Sequence, residues 1–337
     1  MAKNNLNVAV IGCSGMGRAH MLGVTEKEGA TLYAICDNAT DDRLEKCKEE
    51  YNVPIAVTDY RELVNDENID AVVIVTPDQR HLEMTVAFLR AGKDVLCEKP
   101  MALSVGDCVE MRRAEKETGR RLMIGQVCRY TPAFVMAKEL VASGRIGELF
   151  FVESEYAHNY TNSRGYNDWR VSPERDGFIG GGCHAVDLLR WIAGDPTEVY
   201  AHANHKCLND WPTNDCTIAI YKFPNDVKGK VFVSTGCRRN YTMRSVFYGT
   251  KGTIVCDNTS PTLTIFEGDE YDKPVELPVE INNHNISAEI DAFITSLLED
   301  KDIIVSSAEG ANTVVVCRAT IESAAKGTPI NIVYPEV

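Results

Sequence analysis

Three groups of residues in this 337-residue chain have the types and spacing to do chemistry. The first is Glu98-Lys99-Pro100, which follows the apolar run Val95 to Cys97. In an open parallel sheet, ligands bind beyond the carboxyl ends of the strands. A lysine placed there can touch one. Pro100 biases Lys99 toward extended backbone and so aims the amine. A solvated strand end closed by a turn proline would look the same. The second group is Gly12-Cys13-Ser14-Gly15-Met16-Gly17, between the apolar run Val8 to Ile11 and a helix. Gly12 permits a tight turn and Gly17 close helix–sheet packing. Between them, Ser14, Gly15 and Met16 bring backbone N–H groups and a helix N-terminus to where a pyrophosphate would sit. Ser14 stands where the usual fingerprint has its middle glycine, with the glycine displaced to Gly15. Asp37 lies 20 residues after Gly17, at the end of the next strand. A carboxylate there holds the ribose hydroxyls of NAD and repels a 2′-phosphate. Asn38-Ala39-Thr40 adds no cation and Arg43 lies further along, so NAD is expected over NADP. Asp37 also reads as a helix cap or a solvated strand end. The third group is Gly180-Gly181-Gly182-Cys183-His184-x-x-Asp187. Histidine titrates near neutrality, and Asp187 lies on the same helix face three residues on. A core histidine beside Leu188 and Trp191 fits that pattern too.

These groups need a scaffold, and the first 120 or so residues supply one. Strand and helix signals alternate: strands at 7–11, 31–36, 55–57, 71–75, 95–97 and 121–127, with helices between them. Ala71 to Val75 is a continuous apolar run, as expected of a strand buried on both faces. Thr76 is expected to cap the following helix, with Pro77 at its first position. Ser104-x-x-Asp107 reads as a capping box. The alternation predicts an α/β fold with a doubly wound parallel sheet over 1–124. From 125 to 337 strand signals lengthen and cluster, at 148–157, 198–203, 216–223, 229–235, 244–248, 253–256 and 262–266. They predict a second α/β domain with a large, mainly antiparallel open sheet. Its helices are expected at 133–143, 183–193, 287–298 and 307–326, with the C-terminal helix free to pack back on the first domain. A polar and aromatic loop at about 156–175 holds Tyr156, His158, Tyr160, Asn167, Trp169 and Arg170. Such residues stack on sugar rings and hold hydroxyls. An ordinary long surface loop or an oligomer arm has the same composition.

The net charge of −14 argues against nucleic acid or an anionic membrane as partner. The 12 cysteines form no Cys-x-x-Cys pair and sit in apolar runs. That suggests buried, reduced thiols in a cytoplasmic protein, not a disulfide framework or a metal site. The run Val8 to Ile11 is too short for a secretion signal, and no run reaches membrane-spanning length.

Taken in order, the Gly12 loop, Asp37, Thr76-Pro77-x-x-x-His81, Glu98-Lys99-Pro100 and the Gly-rich His184 segment resemble the Gfo/Idh/MocA family of oxidoreductases over essentially the whole chain. The resemblance implies an NAD-dependent oxidoreductase. Hydride would pass between nicotinamide and a secondary hydroxyl or ketone of a sugar, polyol or sugar derivative. It implies Lys99 and His184 as catalytic residues. Thr76, Pro77, His81, Glu98, Lys99 and Gln126 would line the cofactor. Arg129 would stand near the active cleft, and Asp187 would contact substrate or brace its helix, beside the sugar-binding candidates Tyr156, His158, Asn167, Trp169 and Arg170 read from the loop itself. A homodimer or homotetramer through the C-terminal sheet is expected. One departure stands out. Many members carry an aspartate one helical turn before the histidine, where this chain has Gly180. That raises a second class, which retains NAD and uses transient sugar oxidation for elimination or glycoside cleavage. A non-catalytic ligand sensor is the third, and retention of both Lys99 and His184 argues against it.

Overall fold

The computed structural model describes residues 4–268 and 272–336. They form two compact units. One contains residues 4–126, 285–311 and 336, the other 127–284 and 312–335.

The first unit is built from β1 (Leu6–Ile11), α1 (Gly15–Glu26), β2 (Ala30–Cys36), α2 (Arg43–Glu50), β3 (Ile55–Val57), α3 (Arg61–Val64), β4 (Ala71–Ile74), α4 (His81–Arg90), β5 (Asp94–Glu98), α5 (Val105–Thr118) and β6 (Leu122–Gly125). All six strands run parallel in the order β3-β2-β1-β4-β5-β6. β4 is buried along its whole length, as its β-branched run requires. The expected box at α5 is present: Ser104 Oγ accepts from Asp107 N at 3.1 Å, and Gly119 closes the helix in the left-handed region. Thr76 does not cap α4. A 3₁₀ turn over Asp78–Arg80 precedes that helix, which begins at His81. The His81 ring explains the change, because it binds the Thr76 carbonyl at 3.1 Å and holds the chain out of an immediate helical turn.

The second unit follows with α6 (Pro132–Ala142), β7 (Leu149–Ala157), α7 (Gly177–Gly180), α8 (Cys183–Ala193), β8 (Glu198–Asn204), β9 (Cys216–Lys222), β10 (Lys228–Ser234), β11 (Thr242–Gly249), β12 (Gly252–Asp257), β13 (Thr262–Glu267) and β14 (Val275–Pro278). The chain ends with α9 (Ile286–Leu298), α10 (Ser307–Lys326) and β15 (Ile330–Asn331). Nine strands form one sheet in the order β14-β13-β12-β11-β7-β10-β9-β8-β15. β7 and β10 run parallel, and the other pairs are antiparallel. Helix α8 packs on β7 and β10. The opposite face is open at β9, where exposed Ile218 and Ile220 alternate with buried Thr217, Ala219 and Tyr221. β14 and β15 escape the sequence pattern because they are short edge strands with no alternating buried face.

The division differs from the expected 1–124 and 125–337, because residues 125–126, 285–311 and 336 belong to the first unit. Helix α9 joins it by packing on α1. Gly23 of α1 leaves room for Ile290, whose side chain lies 3.2 Å from where a Cβ would stand. Lys27 bonds Asp291 at 2.5 Å and Thr295 at 2.9 Å, and Phe293 is fully buried.

Candidate active site

In the first unit, the Gly12 loop leads from β1 into α1. Gly12 has φ +114°, and a Cβ there would lie 2.3 Å from the Val75 carbonyl oxygen. A Cβ on Gly17 would lie 1.9 Å from the Gly12 carbonyl oxygen. Neither position admits a side chain, so the loop stays tight against the sheet. Ser14 is the N-cap of α1, yet its hydroxyl caps nothing, and the space around Gly15 is open. The helix therefore presents bare N–H groups and Met16 at its start, a cradle that fits a dinucleotide pyrophosphate. Asp37 accepts from Cys13 N and Ala39 N, each at 2.7 Å. Its carboxylate braces the loop from the end of β2. Arg43 bonds Asp41 at 2.7 Å.

The ends of β4 and β5 are tied together. His81 is fully buried, and its two ring nitrogens face the carbonyl oxygens of Pro100 at 2.9 Å and Thr76 at 3.1 Å. Two acceptors require an N–H on each nitrogen, so the ring is a cation. Burial opposes that charge, but Cys97, the Asp78 carboxylate and the Pro100 carbonyl outweigh it and lift the ring to about 10. Glu98 accepts from His20 Nε2 at 2.9 Å and from the Lys99 N–H at 3.0 Å. Burial opposes its charge as well, and the bond and charge of His20, with the Lys99 ammonium, outweigh that and hold it below the usual carboxylate range. Lys99 is half-buried at the end of the strand, and its bond to Pro100 is cis. Gln126 and the Thr76 hydroxyl are buried with no hydrogen-bond partner for their side-chain atoms, which leaves polar atoms of the cofactor set available to a ligand.

In the second unit, His184 stands in the first turn of α8 with its ring almost fully buried. Its Nδ1 lies 3.2 Å from Cys128 Sγ, which is 3.4 Å from Met243 Sδ. Tyr156 stacks on the ring at 5.9 Å, and His284 meets it edge-on at 5.5 Å. The Tyr156 hydroxyl bonds Tyr160 at 2.9 Å and His158 at 3.0 Å, and Tyr241 bonds His284 at 3.0 Å. Burial, then Tyr160 and Tyr241, push the Tyr156 phenol well up, so it stays neutral. Tyr156 and His158 thus cluster with His184. Cys128, Tyr241 and His284 complete the cluster without having been anticipated. Tyr241 and His284 come from loops far along the chain and carry no local motif.

Of the two roles expected of Asp187, the structure shows the brace, with Arg129 as its partner. They grip each other with two bonds of 2.9 and 2.7 Å. Asp187 also accepts from Thr313 at 3.1 Å and has no exposed surface. The pair braces α8. Trp169 lies between the guanidinium groups of Arg170 and Arg175, at 4.9 and 4.8 Å. Asn167 is exposed, in the left-handed region at φ +53°. Arg175 also explains Gly180: a Cβ there would lie 2.3 Å from Arg175 Nη1. A buried guanidinium fills the place where the resemblance called for a carboxylate.

Comparison with known proteins decides the family. Residues 6–126 match the description "Oxidoreductase family, NAD-binding Rossmann fold", and residues 134–255 match "GFO/IDH/MocA C-terminal domain". The chain belongs to the Gfo/Idh/MocA family of oxidoreductases. It is an NAD-binding dehydrogenase by that membership. Inositol 2-dehydrogenase 2 of Saccharopolyspora erythraea is 27% identical over 333 residues, covering 97% of this chain and 96% of the relative. Myo-inositol 2-dehydrogenase of Thermotoga maritima is 28% identical over 313 residues, covering 90% and 92%. Among solved structures, levoglucosan dehydrogenase in complex with NADH and L-sorbose has the same fold. Its TM-score is 0.90 at 23% identity, over 99% of this chain and 100% of that one.

The His81 cation gives a pH-dependent stability. A ring titrating near 10 when folded and near 6.5 when unfolded binds its proton more tightly in the folded state. Its stabilisation is complete below about pH 6.5 and is lost as pH rises through about 10. The stability gap between wild type and His81→Gln, measured by urea unfolding, should therefore shrink over that window. A gap constant with pH would mean that the ring is neutral.

Proposed function

We propose that this protein moves a hydride between NAD and a secondary hydroxyl or ketone of a sugar, polyol or sugar derivative. The observation that carries the reading is the held lysine. Lys99 sits where β5 ends, with Glu98 bonded to its N–H and Pro100 bonded to His81, in a family whose first domain binds NAD. The Gly12 loop and the N-terminus of α1 would hold the pyrophosphate, Asp37 the ribose, and Thr76, Gln126 and His81 the wall beside the ring. When bound, NAD supplies the hydride acceptor. The protein has only to orient the carbinol and move one proton. His184 takes that proton at Nε2, because Nδ1 is committed to Cys128. Lys99 polarises the reacting oxygen and shares the proton. Aromatic faces such as Tyr156 suit the C–H faces of a polyol ring. General-base work of this kind contributes about 10²–10⁴ in rate.

A second reading, elimination or glycoside cleavage with NAD retained, draws on Gly180 and the Arg175 guanidinium beside it. NADH formation should be followed spectrophotometrically with myo-inositol, levoglucosan and other sugars and polyols. The expected result is stoichiometric NADH with at least one of them, and a fall in kcat of at least about 100-fold in Lys99→Met with NAD affinity retained. Turnover in Lys99→Met at the wild-type rate would remove Lys99 from the mechanism.

The open sheet face supports a homodimer or homotetramer in the cytoplasm. Ile218 and Ile220 are 44% and 56% exposed in the middle of β9, and apolar residues grouped on a sheet face mark an interaction surface. Nine of the twelve cysteines are buried and none among the described residues forms a disulfide, and no helix among the described residues is long and apolar enough to cross a membrane. Light scattering should give a dimer or tetramer, and Ile220→Lys should lower its mass. A wild-type monomer would refute this part.

A further inference from the structure

Helix α9 carries Glu289 into the interior of the first unit, to a place the reaction above does not use. One ring nitrogen of His20, an oxygen of Glu98 and an oxygen of Glu289 all lie within 4.8 Å of one another. Helix α1 faces Glu289 with His20, and β5 faces it with Glu98 and the adjoining Lys99. Arg18 of α1 turns elsewhere, to Glu50, and Lys27, just past the end of the helix, turns to Asp291. The two carboxyl groups are treated differently. Glu98 has its donors, His20 Nε2 at 2.9 Å and the Lys99 N–H at 3.0 Å. Glu289 has none: it has no exposed surface, and both its oxygens are buried without a hydrogen-bond partner. Buried polar groups in folded proteins are paired, and an unpaired one calls for a reason such as a bound water, an ion or a catalytic role.

Charge decides among these. Burial, and then the neighbouring Glu98 carboxylate, push Glu289 well above the usual range. A carboxyl group in that position keeps its proton and becomes a donor. The atoms of the three groups lie within 4.8 Å of one another, a spacing that one bridging water with two to four polar partners can span. A metal fits less well. An imidazole on a metal ordinarily donates its second N–H to an acceptor, whereas His20 Nδ1 is buried with no partner. The Lys99 ammonium also adds positive charge beside the cluster.

We propose that Glu289 is a positioning residue of the Lys99 centre: a buried neutral acid that passes a hydrogen bond, through one bound water, to the Glu98 carboxylate that holds Lys99. Glu98 then carries the one negative charge behind the amine. A second charge there would pin Lys99 as an ammonium and block its part in proton transfer. Selection for packing alone would place an apolar side chain at this position of α9, because the fold gains nothing from the acid.

The test compares wild type, Glu289→Gln and Glu289→Leu. Infrared spectroscopy at pH 8 reads the C=O stretch of a protonated carboxyl group. The band should be present in wild type and missing from Glu289→Gln. Glu289→Leu should melt at or above the wild-type temperature and bind NAD with unchanged affinity, yet lose at least about tenfold in kcat with the polyol that wild type oxidises. Glu289→Gln, which keeps a neutral donor, should stay within about twofold. No carboxyl band in wild type, an equimolar divalent metal in the purified protein, or full kcat in Glu289→Leu would each overturn the proposal. Only the kinetic arm rests on the dehydrogenase reading. If no polyol yields NADH, that reading falls, while the infrared and metal measurements still decide the state of Glu289.

Discussion

The bond between His20 Nε2 and Glu98 Oε1 is the contact on which the chemistry of the first unit turns. It fixes a carboxylate at the end of β5, inside the protein, where an unpaired charge would be expelled or neutralised. The other oxygen of that carboxylate takes the Lys99 N–H. One residue further, the Pro100 carbonyl holds His81, which also grips the end of β4 through Thr76. The residues on either side of Lys99 are thus held, as the role proposed for its amine requires. The same buried charge explains why the nearby Glu289 stays neutral, since two unscreened negative charges at this distance in a dry interior are too costly.

The second unit solves the parallel problem with different parts. His184 is oriented by a thiol, Cys128, and flanked by aromatic rings. Asp187, which looks in sequence like the orienting carboxylate, is committed to Arg129 and Thr313. Breaking that buried pair would leave a charge without a partner, at a cost of about 3–5 kcal/mol, so the brace is strongly constrained. The Arg175 guanidinium beside Gly180 completes the departure from the family's usual set. The helix that carries the histidine is thus held by ionic contacts on one side and by sulfur and aromatic contacts on the other.

Much of this was legible in the chain itself. The first sheet could be read because a parallel strand covered on both faces has to be apolar throughout, as Ala71–Ile74 is, and because Ser104 and Gly119 mark the ends of α5 chemically. The Gly12 loop was legible because sterics leave two of its positions no alternative. Thr76 misled as a helix cap, since a side-chain bond from His81, five residues on, outweighed the capping preference. Glu289 was invisible: it lies 191 positions from Glu98 in an unremarkable amphipathic helix, and only the packing of α9 on α1 brings the two together. Cys128, Tyr241 and His284 were hidden for the same reason. For Asp187 two roles stayed open, because helical spacing says which face a residue occupies and not which partner waits there.

In the proposed reaction a carbinol C–H of a sugar or polyol is the source of the hydride that reaches the nicotinamide. Transfer of deuterium tests it most directly. A substrate labelled at its reacting carbon is incubated with NAD and the wild-type protein, and the cofactor and products are analysed by mass spectrometry. The account predicts one deuterium per molecule of NADH formed and release of the corresponding ketone. Deuterium that returns to a rearranged or cleaved sugar with no net NADH would contradict it, and would show that the cofactor is retained and the oxidation transient.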